Sequence, residues 1–233
     1  MSNIKNDDRA ILDMFKNEVV SRIKPDANLN EHDLILIQKL EANNATVTFE
    51  VGGNDSNKRE TPLQKGDIFC LAHGLLGIRK MRSKDGKNFV PASDIVTFAD
   101  PRIFDNAKDG LNEIDAIKAI YNGLMSIETS VMNRFKNFST RNFLNVPTSE
   151  NAVNAYGRDH CGRGFYPFAQ FSVLCGGSDN KITVKLSDAG REMIGGEVFS
   201  SDGTMLLEYN ELVFIAKGFV ARDTADLYQK TFK

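Results

Sequence analysis

The densest supply of reactive side chains lies in Asn154–Phe171, NAYGRDHCGRGFYPFAQF. It holds His160 and Cys161, from three histidines and three cysteines in the chain, with Asp159 beside them and Arg158 and Arg163 on either side. Two chemistries could use such a set. A metal site needs donors converging on one point, but adjacent residues on an extended chain point to opposite sides, so His160 and Cys161 do not readily share an ion. Cys70, His73 or Cys175 would have to be brought in by the fold. A thiol nucleophile needs a base and an orienting group in space, which adjacency in sequence does not supply. A simpler account covers every residue. Gly157, Gly162 and Gly164 permit tight bends in a loop, the loop leads into an apolar strand from Phe165 onward, and its arginines and aromatics suit a protein–protein contact. Arg158, His160 and Arg163 are therefore candidate interface residues, and no catalytic residue, metal ligand or cofactor is assigned.

Other reactive patterns are weaker. There is no G-x-x-x-x-G-K-[ST] phosphate loop and no G-x-S-x-G turn. Glu208 with Glu211, or Glu192 with Glu197, could be paired as glycosidase carboxylates, but solvated strand faces explain them as well. Arg79, Lys80, Arg82, Lys84 and Lys87 crowd one stretch. Arg134, Lys136 and Arg141 interleave with Phe135, Phe138 and Phe143, a combination that can grip phosphates and stack bases. Against this, 29 basic and 31 acidic residues leave a formal charge of −2, so the whole chain has no pull toward polyanions. Nucleic acid stays open as a partner but is not favoured. An exposed basic turn and core phenylalanines are the simpler reading.

The three cysteines are widely spaced with no CxxC pair, as expected of reduced, partly buried thiols in a protein made in a cytoplasm. The polar start MSNIKNDDRA lacks a secretory pattern, and no apolar run reaches membrane-spanning length, so no membrane partner is expected. The Asn44 and Asn137 sequons then carry no meaning.

The elements that would position these residues read as follows. Ile11, Phe15, Val19 and Ile23 repeat every four residues after acidic capping positions, and Pro25 closes the segment. This predicts an amphipathic N-terminal helix over residues 1–25. Its stripe must be covered, by its own sheet or by a neighbouring subunit, and Ile11, Phe15 and Val19 are interface candidates in the second case. Residues 26–233 read as a single β-rich domain. DLILIQKL and ATVTFEV are strands, with Val47, Phe49 and Val51 facing a core. Asp85-Gly86 and Asp202-Gly203 are tight turns, GGSDN is another, and Gly218 marks an irregularity in the last strand. Residues Gly52–Pro62 form a polar loop. Phe168–Cys175 is a half-buried strand. A second helix is expected over LNEIDAIKAIYNG, with Asn112 as N-cap and Gly123 after its C-terminus. Adjacent short strands joined by turns, without regular helix alternation, give a mainly β chain with two short helices, an antiparallel β-sandwich or jelly-roll-like fold.

Phe98–Ala152 opens on an aromatic-Asp-Pro, passes through a helix ending in YNG and a strand LMSIE, and closes on FLNVP. It resembles virion structural proteins of bacteriophages, coat or accessory coat components. QFSVLCGGSDNKITVKLS and YNELVFIAKGFVAR also look like consecutive sheet strands of such proteins. The resemblance implies a non-enzymatic capsid protein made in the host cytoplasm and resident in the virion. Its partners would be copies of itself, as a homo-oligomer, and other virion proteins. A glycan- or ligand-binding sandwich using Tyr156, Phe165 and Tyr166, or less favourably a hydrolase using Cys161 or a carboxylate pair, is the alternative.

Overall fold

A computed structural model describes residues 6–41, 44–51, 63–92, 95, 120–129, 135–144, 165–177, 180–187, 197–199 and 205–232. The chain opens with helix α1 (Asn6–Phe15), a π turn (Lys16–Val20) and the short α2 (Ser21–Ile23). Apolar residues spaced by four drift around a helix that turns every 3.6 residues. The wider i→i+5 bonding of the π turn takes up that drift. It keeps Val19 and Val20 on the side of Phe15, and all three are buried.

Ten strands follow among the described residues: β1 (Leu29–Lys39), β2 (Thr46–Val51), β3 (Ile68–Ser83), β4 (Val90–Pro91), β5 (Leu124–Glu128), β6 (Phe135–Ser139), β7 (Tyr166–Cys175), β8 (Asn180–Lys185), β9 (Glu197–Phe199) and β10 (Met205–Ala221). Helix α3 (Ala225–Phe232) closes the chain. One sheet runs β1-β10-β3, with β7 and the short β4 on the far edge of β3 and β9 beside the start of β10. The other runs β2-β8-β5-β6, and every pairing is antiparallel. The protein is mainly β, an antiparallel sandwich flanked by short helices.

Two apolar clusters hold these layers. Between the sheets, Leu34, Leu36, Phe69, Leu71, Leu76, Phe214 and Ala216 meet Val47, Phe49, Val51, Met125, Ile127, Ile182 and Val184. The expected inward face of β2 is therefore present. On the outer face of the first sheet, Ile68, Cys70, Ala72, Phe171, Val173, Cys175, Phe219 and Ala221 lie beneath the two terminal helices. This second cluster corrects the expectation for β7. Phe168 and Leu174 enter the sandwich while Phe171, Val173 and Cys175 face the helices, so both faces are covered.

The turn at Asp85-Gly86 forms as expected, with Gly86 at φ 70°. Gly218 also marks its irregularity, since the β10–β3 register slips between Lys217 and Gly218. Gly123 has a different reason from the one expected. It has no left-handed φ, and a Cβ there would stand 2.2 Å from the Lys185 carbonyl oxygen, so close backbone approach excludes a side chain. Ile120 and Tyr121 are helical and buried. The rest of the expected middle helix, the Gly52–Pro62 loop and Asp202-Gly203 lie outside the described residues. Helix α3 has no counterpart in the sequence reading.

The registers place the ends of β1, β3, β6 and β8 and the starts of β2, β5, β7 and β10 at one end of the sandwich. The β6–β7 and β8–β9 connections leave from that end, and the β2–β3 connection leaves from the other. At the opposite end the Asn180 side chain ties the layers together. It accepts from the Cys175 N–H at 3.3 Å and donates to the Cys175 and Val51 carbonyls at 2.7 and 3.3 Å.

Candidate functional site

Three arrangements of side chains stand out, and each begins from a strand register. The first is the helix seat on the outer face of the first sheet. Phe15 is fully buried, and its ring meets that of Phe171 edge-on with centroids 6.0 Å apart. Ile11, Val19 and Val20 join it over Cys70, Val173, Phe219 and Tyr228. The structure thus seats the interface candidates Ile11, Phe15 and Val19 on the chain's own sheet. Replacing Phe15 by Asp in this arrangement places a charge in a core. The outcome expected there is loss of fold, not a soluble β-rich monomer unable to assemble.

The second arrangement lies where β3 and β10 run past the shorter strands of the other sheet. Register sets Arg79 opposite Glu211 and Arg82 opposite Glu208. Both Nε and Nη2 of Arg79 donate to one Glu211 oxygen, at 3.1 and 2.7 Å, and the Tyr209 hydroxyl donates to the other at 3.2 Å. Arg82 and Lys80 share Glu208. Lys39 stands 4.5 Å over the Tyr209 ring, which also meets Phe89 at 4.6 Å. Three of the five clustered cations are thus engaged with carboxylates. The same contacts occupy Glu208 and Glu211. At the hairpin tip, the Asp85 carboxylate accepts from the backbone N–H groups of Asn88 and Lys87 and from the side chains of Ser83 and Asn88. Those bonds, that from the Asn88 N–H foremost, hold its carboxyl well below the usual carboxylate range.

The third arrangement ties the start of β3 to the end of β10. The Asp67 carboxylate accepts from Arg222 Nη1 and from the Asp223 N–H, the latter at 3.1 Å. His32, opposite Gly218 on β1, stands edge-on to Phe69 at 6.3 Å. Burial and the Arg222 charge lower its pKa against the opposing pull of Asp33 and Asp67.

The aromatics of the ligand-binding alternative separate. Tyr166 packs with Phe138, Phe143 and Phe168 at the sandwich margin, and Lys217 sits 4.3 Å over the Phe165 ring. Phe135, Phe138 and Phe143 belong to the same aromatic group, as the core reading required. Phe135 and Phe138 share a face despite their odd spacing because Asn137 adopts a left-handed conformation, φ 54°. The interface candidates Arg158, His160 and Arg163, together with Cys161, Tyr156, Arg134 and Glu192, lie outside the described residues.

Among the described residues no group of three or more His, Cys, Asp or Glu could hold a metal ion, and no helix is long and apolar enough to cross a membrane. Cys70 and Cys175 are both buried. The comparisons with protein-family models and with curated proteins return no match.

Proposed function

We propose that the protein is a non-enzymatic structural subunit of a bacteriophage particle, assembling through contacts with copies of itself and with other virion proteins. The observation that carries this reading is the strand order. Strands β1, β10, β3 and β7 form one sheet, and β2, β8, β5 and β6 form the other. Leaving aside the two-residue β4 and the three-residue β9, each consecutive pair of strands thus falls on alternate sheets except the β5–β6 hairpin. That order supports a jelly roll, an eight-stranded double-sheet fold used by viral capsid and lectin domains and by cupins.

A fold does not define a function, so the site chemistry has to choose among these uses. The carboxylates singled out as catalytic candidates, Glu208 and Glu211, are spent on cross-strand arginines. The outer face of the second sheet presents rows of Thr46, Lys185 and Leu124, then Thr48, Thr183 and Ser126, then Glu50, Lys181 and Glu128. No aromatic residue stands in these rows to stack on a sugar ring. The resemblance of Phe98–Ala152 to phage coat proteins adds the particle as the place of work.

The test is the mass in solution by light scattering after size exclusion, over a concentration series, followed by electron microscopy. A discrete multimer or closed particle is the expected result. A strict monomer at every concentration, alone and when mixed with other virion proteins, would overturn the reading.

A further inference from the structure

We propose that the corner between β10 and α3 is an acid-sensitive latch, in which a proton taken up by His32 draws Asp67 away from Arg222 and loosens α3 from the outer face of the first sheet. The device is independent of how the subunit assembles.

An eight-residue helix is marginal in water without tertiary anchors. Two sets of contacts anchor α3. At its start, the Gly66 carbonyl accepts from the Thr224 and Ala225 N–H groups at 2.8 and 2.9 Å. The neighbouring Asp67 carboxylate accepts from Arg222 Nη1 and from the Asp223 N–H. Gly66 and Asp67 together therefore clasp the corner through four successive residues, Arg222 to Ala225. Along the helix, Ala225, Tyr228 and Phe232 join the outer cluster. The Cys175 thiol donates to the Ala225 carbonyl at 3.7 Å, and Gln229 Nε2 donates to the Cys175 sulfur at 3.4 Å.

His32 stands next to the clasp. Opposite it on β10 is Gly218, whose bare backbone lets the imidazole reach across to Phe69 on β3, where the rings meet edge-on at 6.3 Å. Phe69 is two residues beyond Asp67. Among the described residues, the charges acting on the imidazole are Arg222 from the end of β10, Asp67 from the start of β3 and Asp33 beside it on β1. Burial first, and then Arg222, disfavour the imidazolium, while the two aspartates favour it.

The closed corner thus binds the proton poorly. When Arg222 moves off, its repulsion is lost and water enters, while both aspartates remain. The opened corner therefore binds the proton more tightly, and falling pH shifts the equilibrium toward it. The opening is local, because the contacts between the sheets are made by other residues. It uncovers Cys175 and the apolar sheet surface beneath α3.

The test is hydrogen exchange of the full chain read by mass spectrometry between about pH 7.5 and 5.5, the range in which a histidine titrates, with rates corrected for intrinsic exchange. The opening constant of residues 225–232 should rise by at least about threefold, while amides of β3 and β10 stay protected. Cys175 should become reactive over the same interval toward 4,4′-dithiodipyridine, which labels thiols in acid, with the site assigned by peptide mapping. His32→Gln and His32→Phe, two non-titrating replacements of which either suffices, should abolish both rises. The latch is overturned if α3 opens equally at both pH values, if β3 and β10 open in step with it, or if the non-titrating variants keep the rise.

Discussion

Gly218 lies so close to the Cys70 backbone that a Cβ at this position would stand 1.8 Å from the Cys70 carbonyl oxygen. The contact falls where the β10–β3 register slips. Alanine at 218 must push two central strands apart, and the expected loss is about 3 kcal/mol of unfolding free energy. Gly66 is the control. Its nearest neighbour to an added Cβ is the end of the Asp223 side chain at 3.5 Å, so Gly66→Ala should be neutral or gain about 0.5 kcal/mol. Urea midpoints of the two variants check the contrast.

Asn137 offers a second backbone test. Its left-handed φ lets Phe135 and Phe138 face the same core, and its N–H donates to the Ser126 hydroxyl at 3.1 Å. Asn137→Gly should leave stability nearly unchanged. Asn137→Val should cost about 2 kcal/mol, since a β-branched residue resists this conformation. Equal midpoints for the two variants would show that the left-handed conformation at Asn137 carries no such cost.

The two carboxylates of the β3–β10 ribbon should differ in weight. Glu211 pairs with an Arg79 side chain only 14% exposed, whereas the Arg82 partner of Glu208 is 44% exposed. Removing one member of a buried pair leaves an uncompensated charge, so Glu211→Ala should cost about 3 kcal/mol. Glu208→Ala should cost about 1 kcal/mol, because water screens its partner. The reverse order in denaturation would show that the ribbon is not held in this way.

Stability should fall on mild acidification through His32. Its folded pKa is lowered from 6.5, chiefly by burial and then by the Arg222 charge, with Asp33 and Asp67 opposing. The unfolded chain therefore takes up the proton first. Stability is full above the unfolded pKa and is lost as pH falls from about 6.5 toward the lower folded value. His32→Gln should flatten the dependence of the urea midpoint between pH 7 and 5. An unchanged slope would assign it to other groups.

Ser172 has a fully buried hydroxyl without a hydrogen-bond partner among the described residues. Ser172→Ala should be neutral or stabilise by about 1 kcal/mol, because the desolvation cost of the unpaired group disappears. A loss above that amount, read by calorimetry, would mean that the hydroxyl is bonded in solution.

The parts of this fold that were legible in the sequence are those governed by local periodicity. The alternation of Val47, Phe49 and Val51, the Asp85-Gly86 turn and the apolar stripe of the first helix each follow from spacing alone. What was not legible depends on meetings between distant segments. Nothing near Gly123 announces the Lys185 carbonyl, so a helix-ending role was the natural local reading. The double burial of β7 follows from the helices that pack on its outer face, and α3 is short, at eight residues. The pairing of Arg79 with Glu211 spans 132 residues and exists only through register. A signal was present in the acids Glu208 and Glu211 on one strand and the bases Arg79, Lys80 and Arg82 on another, but it becomes readable only once the two are known to be neighbours.

Helices α1 and α3, the first and last described elements, rest on the same face of the same sheet. Their outward residues Met14 and Leu227 are both exposed. Probes attached at these two positions would mark a single side of the subunit, and the Thr- and Lys-bearing face of the other sheet would stay unmarked. In a closed particle the two labels would therefore sit at one radius, and gold bound to either would report which side of the wall faces the lumen.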